Sequence, residues 1–133
     1  MRYLLDTDTC ADVLRGRPDV VARLRKVLPD DVAVSTISVY ELFTGVGKCA
    51  RPERERSKVR LLLETIHELP FLAETARQAT RVRVDLEARG CTIGPYDTLL
   101  AGHALAAGLI LITPNLDEFS RVGGLRFESW RKP

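Results

Sequence analysis

Histidine and cysteine are scarce in this chain, with two of the first and three of the second among 133 residues. Neither His67 nor His103 has a partner at metal-ligand spacing, and Cys10, Cys49 and Cys91 form no Cys-x-x-Cys pair. Zinc sites of the usual spacing are thereby excluded, and the odd cysteine count argues against a disulfide framework. Free thiols in a reducing compartment are the plain expectation. No apolar run reaches the roughly 18 residues that a membrane-spanning helix needs. The opening Met1-Arg2-Tyr3-Leu4-Leu5-Asp6 meets a carboxylate too soon for a signal peptide, so the cytoplasm is the expected location. Gly-x-Gly-x-x-Gly and Gly-x-x-x-x-Gly-Lys-Ser/Thr loops are also missing, which removes the common nucleotide-binding signatures. Nor is there a dominant charge. The net charge of +2 permits a nucleic-acid partner without indicating one. Basic residues gather in Arg51–Lys58 and Arg77–Arg89, but acids are mixed into both, and solvated helix faces are the simpler reading.

What is present is an apolar share of 45%, enough for one packed domain over residues 1–133. Short apolar runs at 2–5, 32–35 and 109–113 read as strands, with weaker ones at 67–70 and 126–128. Between them the periodicity predicts helices over 8–14, 20–28, 38–45, 53–65, 73–89, 97–107 and 115–120. Gly108 and Gly90 mark two of the helix ends. Strands alternating with helices predict an α/β domain with a mainly parallel central sheet flanked by helices. Fully apolar strands fit a sheet covered on both faces.

Open parallel sheets place their sites beyond the carboxyl ends of the strands. This sequence puts polar groups there: Asp6 and Asp8 after the first strand, Glu41 beyond the second, Thr113, Asn115 and Asp117 after the strand at 109–112. Asp97 opens the helix leading into that last strand. Clustered carboxylates repel one another, and a hard divalent cation such as Mg²⁺ relieves the repulsion while leaving room for water and phosphate oxygens. A carboxylate set without His or Cys therefore suggests Mg²⁺ or Mn²⁺ and phosphate chemistry. Each residue also has a plainer role: helix caps for Asp6, Asp8 and Asp97, a surface position for Glu41, a Pro114 turn for Thr113 and Asn115. Tyr96 reads as a packing residue.

Four segments together resemble the PIN-domain family: Tyr3-Leu4-Leu5-Asp6-Thr7-Asp8-Thr9, Ser35-Thr36-Ile37-Ser38-Val39-Tyr40-Glu41-Leu42, Ile93-Gly94-Pro95-Tyr96-Asp97-Thr98-Leu99-Leu100-Ala101 and Leu111-Ile112-Thr113-Pro114-Asn115-Leu116-Asp117-Glu118-Phe119. Order and spacing are most similar to the VapC-type toxins. The resemblance implies a PIN-like three-layer sandwich and an endoribonuclease dependent on Mg²⁺ or Mn²⁺. Asp6, Glu41 and Asp97 would hold the metal and activate water against an RNA phosphodiester. Asn115 stands where many PIN domains carry a fourth acid, Asp117 offers a carboxylate two residues on, and Thr113 matches a hydroxyl beside the site. It also implies a homodimer and a cognate VapB-like antitoxin lying over the groove, with DNA bound only through that antitoxin.

The resemblance leads us to expect Asp6, Glu41 and Asp97 to converge within metal-bridging distance. Two other readings compete. Leu5-Asp6-Thr7-Asp8 resembles the opening of haloacid-dehalogenase-type phosphatases, but their later Lys and Gly-Asp motif are not visible. A PIN-like module that binds RNA or protein without cutting would have no need of the three acids.

Overall fold

The computed structural model describes residues 1–133. Its apolar runs pair side by side into one sheet. β1 (Tyr3–Leu5) is central, flanked by β2 (Val32–Ser35) and β4 (Ile110–Ile112), with β3 (His67–Leu69) and β5 (Phe127–Glu128) at the edges. The order β3-β2-β1-β4-β5 is parallel at every pairing. The expected mainly parallel sheet is thus wholly parallel.

Alternating side chains feed two cores. Tyr3, Leu5, Val32, Val34 and Ile112 face one side, where they meet Val20, Leu42, Val46, Val59 and Leu62. These come from α2 (Pro18–Lys26), α3 (Thr36–Lys48) and α4 (Pro52–Thr65), and α1 (Thr7–Leu14) completes the layer through Cys10. Leu4, Ala33 and Leu111 face the other side, against Val82, Leu86, Ala101, Ala104 and Phe119. That layer is α5 (Ala73–Ala88), α6 (Pro95–Ala107) and α7 (Leu116–Phe119). Helices on both faces of a period-2 apolar sheet give the three-layer sandwich.

Helix ends differ from the sequence reading where local chemistry overrides periodicity. Helix α2 begins at Pro18, whose fixed φ suits a first turn, and stops at Lys26; Val27 is extended and Leu28 lies 69% exposed rather than on the helix's apolar face. Helix α3 continues through Gly45 and Gly47 to Lys48. Helix α6 begins at Pro95, so Asp97 is its third residue and Gly94 occupies the cap position. Gly108, at φ 67°, ends α6 as expected.

Two features fix the outer layers. A Cβ added at Gly102 of α6 would stand 2.5 Å from the Ala79 Cα of α5, so these helices cross backbone against backbone. At the chain's end, Arg131 grips the buried Asp12 of α1 through two bonds of 2.7 and 2.9 Å. The Trp130 ring meets Tyr3 edge-on at 5.6 Å.

Candidate active site

Asp6 and Asp8 follow β1, Glu41 lies on the helix after β2, Thr113, Asn115 and Asp117 follow β4, and Asp97 lies in the first turn of α6. Asp6 follows β1 directly and is 1% exposed. Its carboxylate caps α1 by accepting the Thr9 N–H at 2.7 Å. The capping role and a place in the site are therefore compatible. Burial pushes the Asp6 carboxyl up to about 6, against the hydrogen bonds from Thr113 and Thr9 that pull it down. Thr113 is fully buried, and its Oγ1 also accepts the Asn115 N–H at 3.0 Å.

Asn115 turns its side chain to Asp8, donating from Nδ2 to Oδ2 at 2.8 Å. The amide thus stands beside an acid it can hold in place. Asp97 is half-buried, and its carboxyl is pushed up to about 7. Burial contributes most, then the hydrogen bond and charge of Glu118, then the charges of Asp6 and Asp8. Four carboxyl groups, from Asp6, Asp8, Asp97 and Glu118, therefore act on one another.

Glu118 takes the place that the sequence reading gave to Asp117. Asp117 has 97% of its side chain exposed and pairs with Arg121 at 3.6 Å, turned from Asp97. The cause is helical phase. Phe119 is fully buried, and residue 118 shares the face of residue 115, three positions earlier. That spacing from Asn115 was the signal available in the sequence.

Glu41 stands slightly apart. Thr7 Oγ1 lies 2.6 Å from its Oε1 and 3.0 Å from Ser38 Oγ. Thr7 has a single hydroxyl proton, which goes to the carboxylate, so Ser38 donates to Thr7. Ser38 reads from sequence only as a plausible cap of α3, a place Ser35 takes instead, and neither contact of Thr7 is legible because they span 31 and 34 residues. Beneath them Ser35 caps α3 at Ile37 N and contacts the buried His103 Nδ1 at 2.8 Å. With Ser35 Oγ accepting from Ile37, its proton points to His103, and burial holds that imidazole's pKa down.

Of the three acids expected to converge, Asp97 feels the charge of Asp6, whereas Glu41 is bonded to Thr7. No three acidic, histidine or cysteine side chains are grouped closely enough to hold an ion by themselves. Thr7 tethers Glu41, while Asp97 lies against Glu118 and within reach of the charges of Asp6 and Asp8. The donor set still suits a hard cation. All donors are oxygens, burial raises two of the carboxyls, and Mg²⁺ needs only one or two carboxylates beside water and phosphate. The site is an open edge; a hollow of about 590 Å³ between α5 and α6 is lined by none of these acids.

Tyr40 and Tyr96 border the acids, their rings 5.8 Å apart and tilted by 47°. The Tyr96 phenol is pushed up first by its hydrogen bond to Tyr40 and least by the Glu41 charge.

Comparison with known proteins agrees with this geometry. The PIN domain pattern matches residues 3–125. The chain is 32% identical over 130 residues to the tRNA(fMet)-specific endonuclease VapC of Salmonella typhimurium, covering 98% of each. It is 34% identical over 134 residues to ribonuclease VapC2 of Rickettsia felis, covering 99% of this chain and all of that one. In three dimensions it resembles the DNA-bound VapBC complex of Salmonella typhimurium, with a TM-score of 0.94 at 31% identity, over 98% of this chain and 99% of that one. With near-complete coverage in both chains, the chain belongs to the PIN-domain family and to its VapC ribonuclease branch.

Proposed function

We propose that this protein is the toxin of a type II toxin–antitoxin pair, an endoribonuclease that hydrolyses RNA phosphodiester bonds with Mg²⁺ or Mn²⁺. One observation carries the reading. Asp97 lies within reach of the charges of Glu118, Asp6 and Asp8, a gathering of mutually repelling carboxylates that a cation would relieve.

Asp6 and Asp97 would hold the ion, with Glu41 completing the acidic set. When bound, the ion supplies positive charge to phosphoryl oxygens and makes water acidic enough to lose a proton near neutral pH. The chain's own groups do the rest. Thr9 N–H and the Thr113 hydroxyl fix the direction of Asp6. Thr7, itself supported by Ser38, orients Glu41, which is placed to accept a proton from the attacking water. Asn115 fixes Asp8, and Glu118 sets the charge state of Asp97.

No helix is long and apolar enough to cross a membrane, and a cytoplasmic site of action fits that. The DNA-bound relatives from Rickettsia felis and Salmonella typhimurium are complexes of both members of the pair. By the same logic this chain acts as a homodimer, is silenced by a cognate VapB-like antitoxin, and meets DNA only through it. A basic antitoxin side chain would satisfy the uncompensated carboxylates. Transfer RNA is the first substrate to try, because two relatives are tRNA(fMet)-specific endonucleases.

The test is cleavage of total cellular RNA by antitoxin-free protein with Mg²⁺, Mn²⁺ or chelator, beside Asp97→Asn. Discrete metal-dependent products that vanish in the variant are expected. Products unchanged in Asp97→Asn, or no products with either metal, reject the reading.

A further inference from the structure

The chain holds eight aromatic Phe, Trp and Tyr residues, and only Tyr40 and Tyr96 are exposed. They retain 58% and 41% exposure although they touch each other. Each directly precedes a site acid: Tyr40 comes before Glu41 on α3, and Tyr96 before Asp97 on α6. The touching rings therefore bridge the two helices, α3 and α6, that carry these acids. The remaining aromatics do core work, as Trp130 does against Tyr3 and Phe71 against His103. A ring pair kept in water beside phosphate chemistry has no packing purpose that its burial would explain.

Single-stranded nucleic acid offers what such a pair lacks. Unstacked bases present apolar π-faces, and proteins take them up on exposed aromatic side chains. The tilt of 47° leaves the two rings as a wedge rather than a closed stack. A phosphate at the acids would place its neighbouring base over this wedge.

Building on the ribonuclease reading, we infer that Tyr40 and Tyr96 form a stacking platform for an RNA base beside the cut bond. They are positioning residues that favour cleavage in loops or other unpaired segments. The ring faces provide the function, and the hydroxyl contact at 3.4 Å only holds the rings together.

The test uses an RNA hairpin cut by the full-length protein, with single abasic substitutions on either side of the cleaved bond. Tyr40→Ala and Tyr96→Ala should each raise KM about 10-fold, within the range that loss of ~1–3 kcal/mol of stacking gives, while kcat changes about two-fold or less. Tyr40→Phe and Tyr40→Trp should keep the wild-type KM. One abasic position should weaken the wild-type protein by the same factor and leave Tyr40→Ala without further loss. In an Asp97→Asn background, 2-aminopurine at that position should be quenched on binding, and the quenching should disappear with Tyr40→Ala.

Failure of the wild-type protein to cut RNA overturns the ribonuclease reading and this inference with it. Cleavage with a KM indifferent to both alanine changes overturns this inference alone. So does a Tyr40→Phe variant as impaired as Tyr40→Ala, or alanine variants that turn a dimer into monomers on size exclusion, which would make the pair a protein contact.

Discussion

The carboxyl groups of Asp97 and Glu118 face each other closely enough to share a hydrogen bond, although 20 residues and a strand separate them. A cation beside two such acids relieves their repulsion. Replacing Glu118 by Gln should therefore lower affinity for Mg²⁺ roughly 10-fold or more, the scale at which groups supporting a metal ligand act. Asp117→Asn should leave it unchanged, because Asp117 points to solvent beside Arg121. Titration of metal-dependent cleavage for both variants checks this, and equal effects would reject the assignment.

Stability without metal should depend on pH in an unusual direction. Folding raises Asp6 from 3.8 to about 6 and Asp97 from 3.8 to about 7. Between those limits the folded state binds more protons than the unfolded one, so stability falls as pH rises. Buried His103, whose pKa is lowered, acts in the opposite sense at the acidic end of the same window. Comparing wild type with an Asp6→Asn, Asp97→Asn double variant cancels that contribution. In chelator, the urea midpoint of the wild type should lose ground to the double variant from pH 5 to pH 8. Saturating Mg²⁺ should restore it at pH 8 and do little at pH 5. A constant difference across the range would contradict the shifted carboxyls.

Thr7 gives Glu41 its only hydrogen bond from a side chain, at 2.6 Å. Thr7→Val keeps the shape and removes the hydroxyl. We expect kcat to fall about 10-fold or more with small change in KM, since what is lost is aim rather than binding. Thr7→Ser should retain most activity. A valine variant with wild-type kcat would show that Glu41 needs no such support.

Gly102 leaves no space for a methyl group, whose carbon would lie 2.5 Å from the Ala79 Cα. Gly102→Ala should destabilise the protein by roughly 1–3 kcal/mol or more, because backbone must move to admit it. Elsewhere in a helix the same change gains about 1 kcal/mol. Chemical unfolding decides between the two signs, and weaker cleavage should accompany the loss because α6 carries Asp97.

Much of this organisation could be read from the chain. β1, β2 and β4 are nearly pure apolar runs, and Asp6, Asp97 and Asn115 follow from strand ends and helix starts. What could not be read is non-local or depends on phase. The Thr7–Glu41 bond joins side chains with no sequence relationship. Asp117 is the acid that proximity to Asn115 suggests, whereas the burial of Phe119 sets the rotation of α7 and brings Glu118 to Asp97. The close crossing at Gly102 was invisible for the same reason, since nothing within α6 records how near α5 comes. Pro18 and Pro95 moved two helix starts because a fixed φ outweighs the onset of apolar periodicity.

The central place of β1 bears on when the protein can do harm. Asp6 is among the first residues made, but its carboxylate is fixed by Thr113, and the Asp6 N–H bonds to Ile112 O at 2.9 Å. Glu118 is made later still, and the Arg131 clasp on Asp12 comes at the very end. A ribosome that has made only the first half of this chain has made no nuclease, only separated carboxylates with no sheet edge to gather them. The acidic edge therefore depends on sequence far apart along the chain, and synthesis as far as β2 leaves Asp6 without the β4 partner that fixes it.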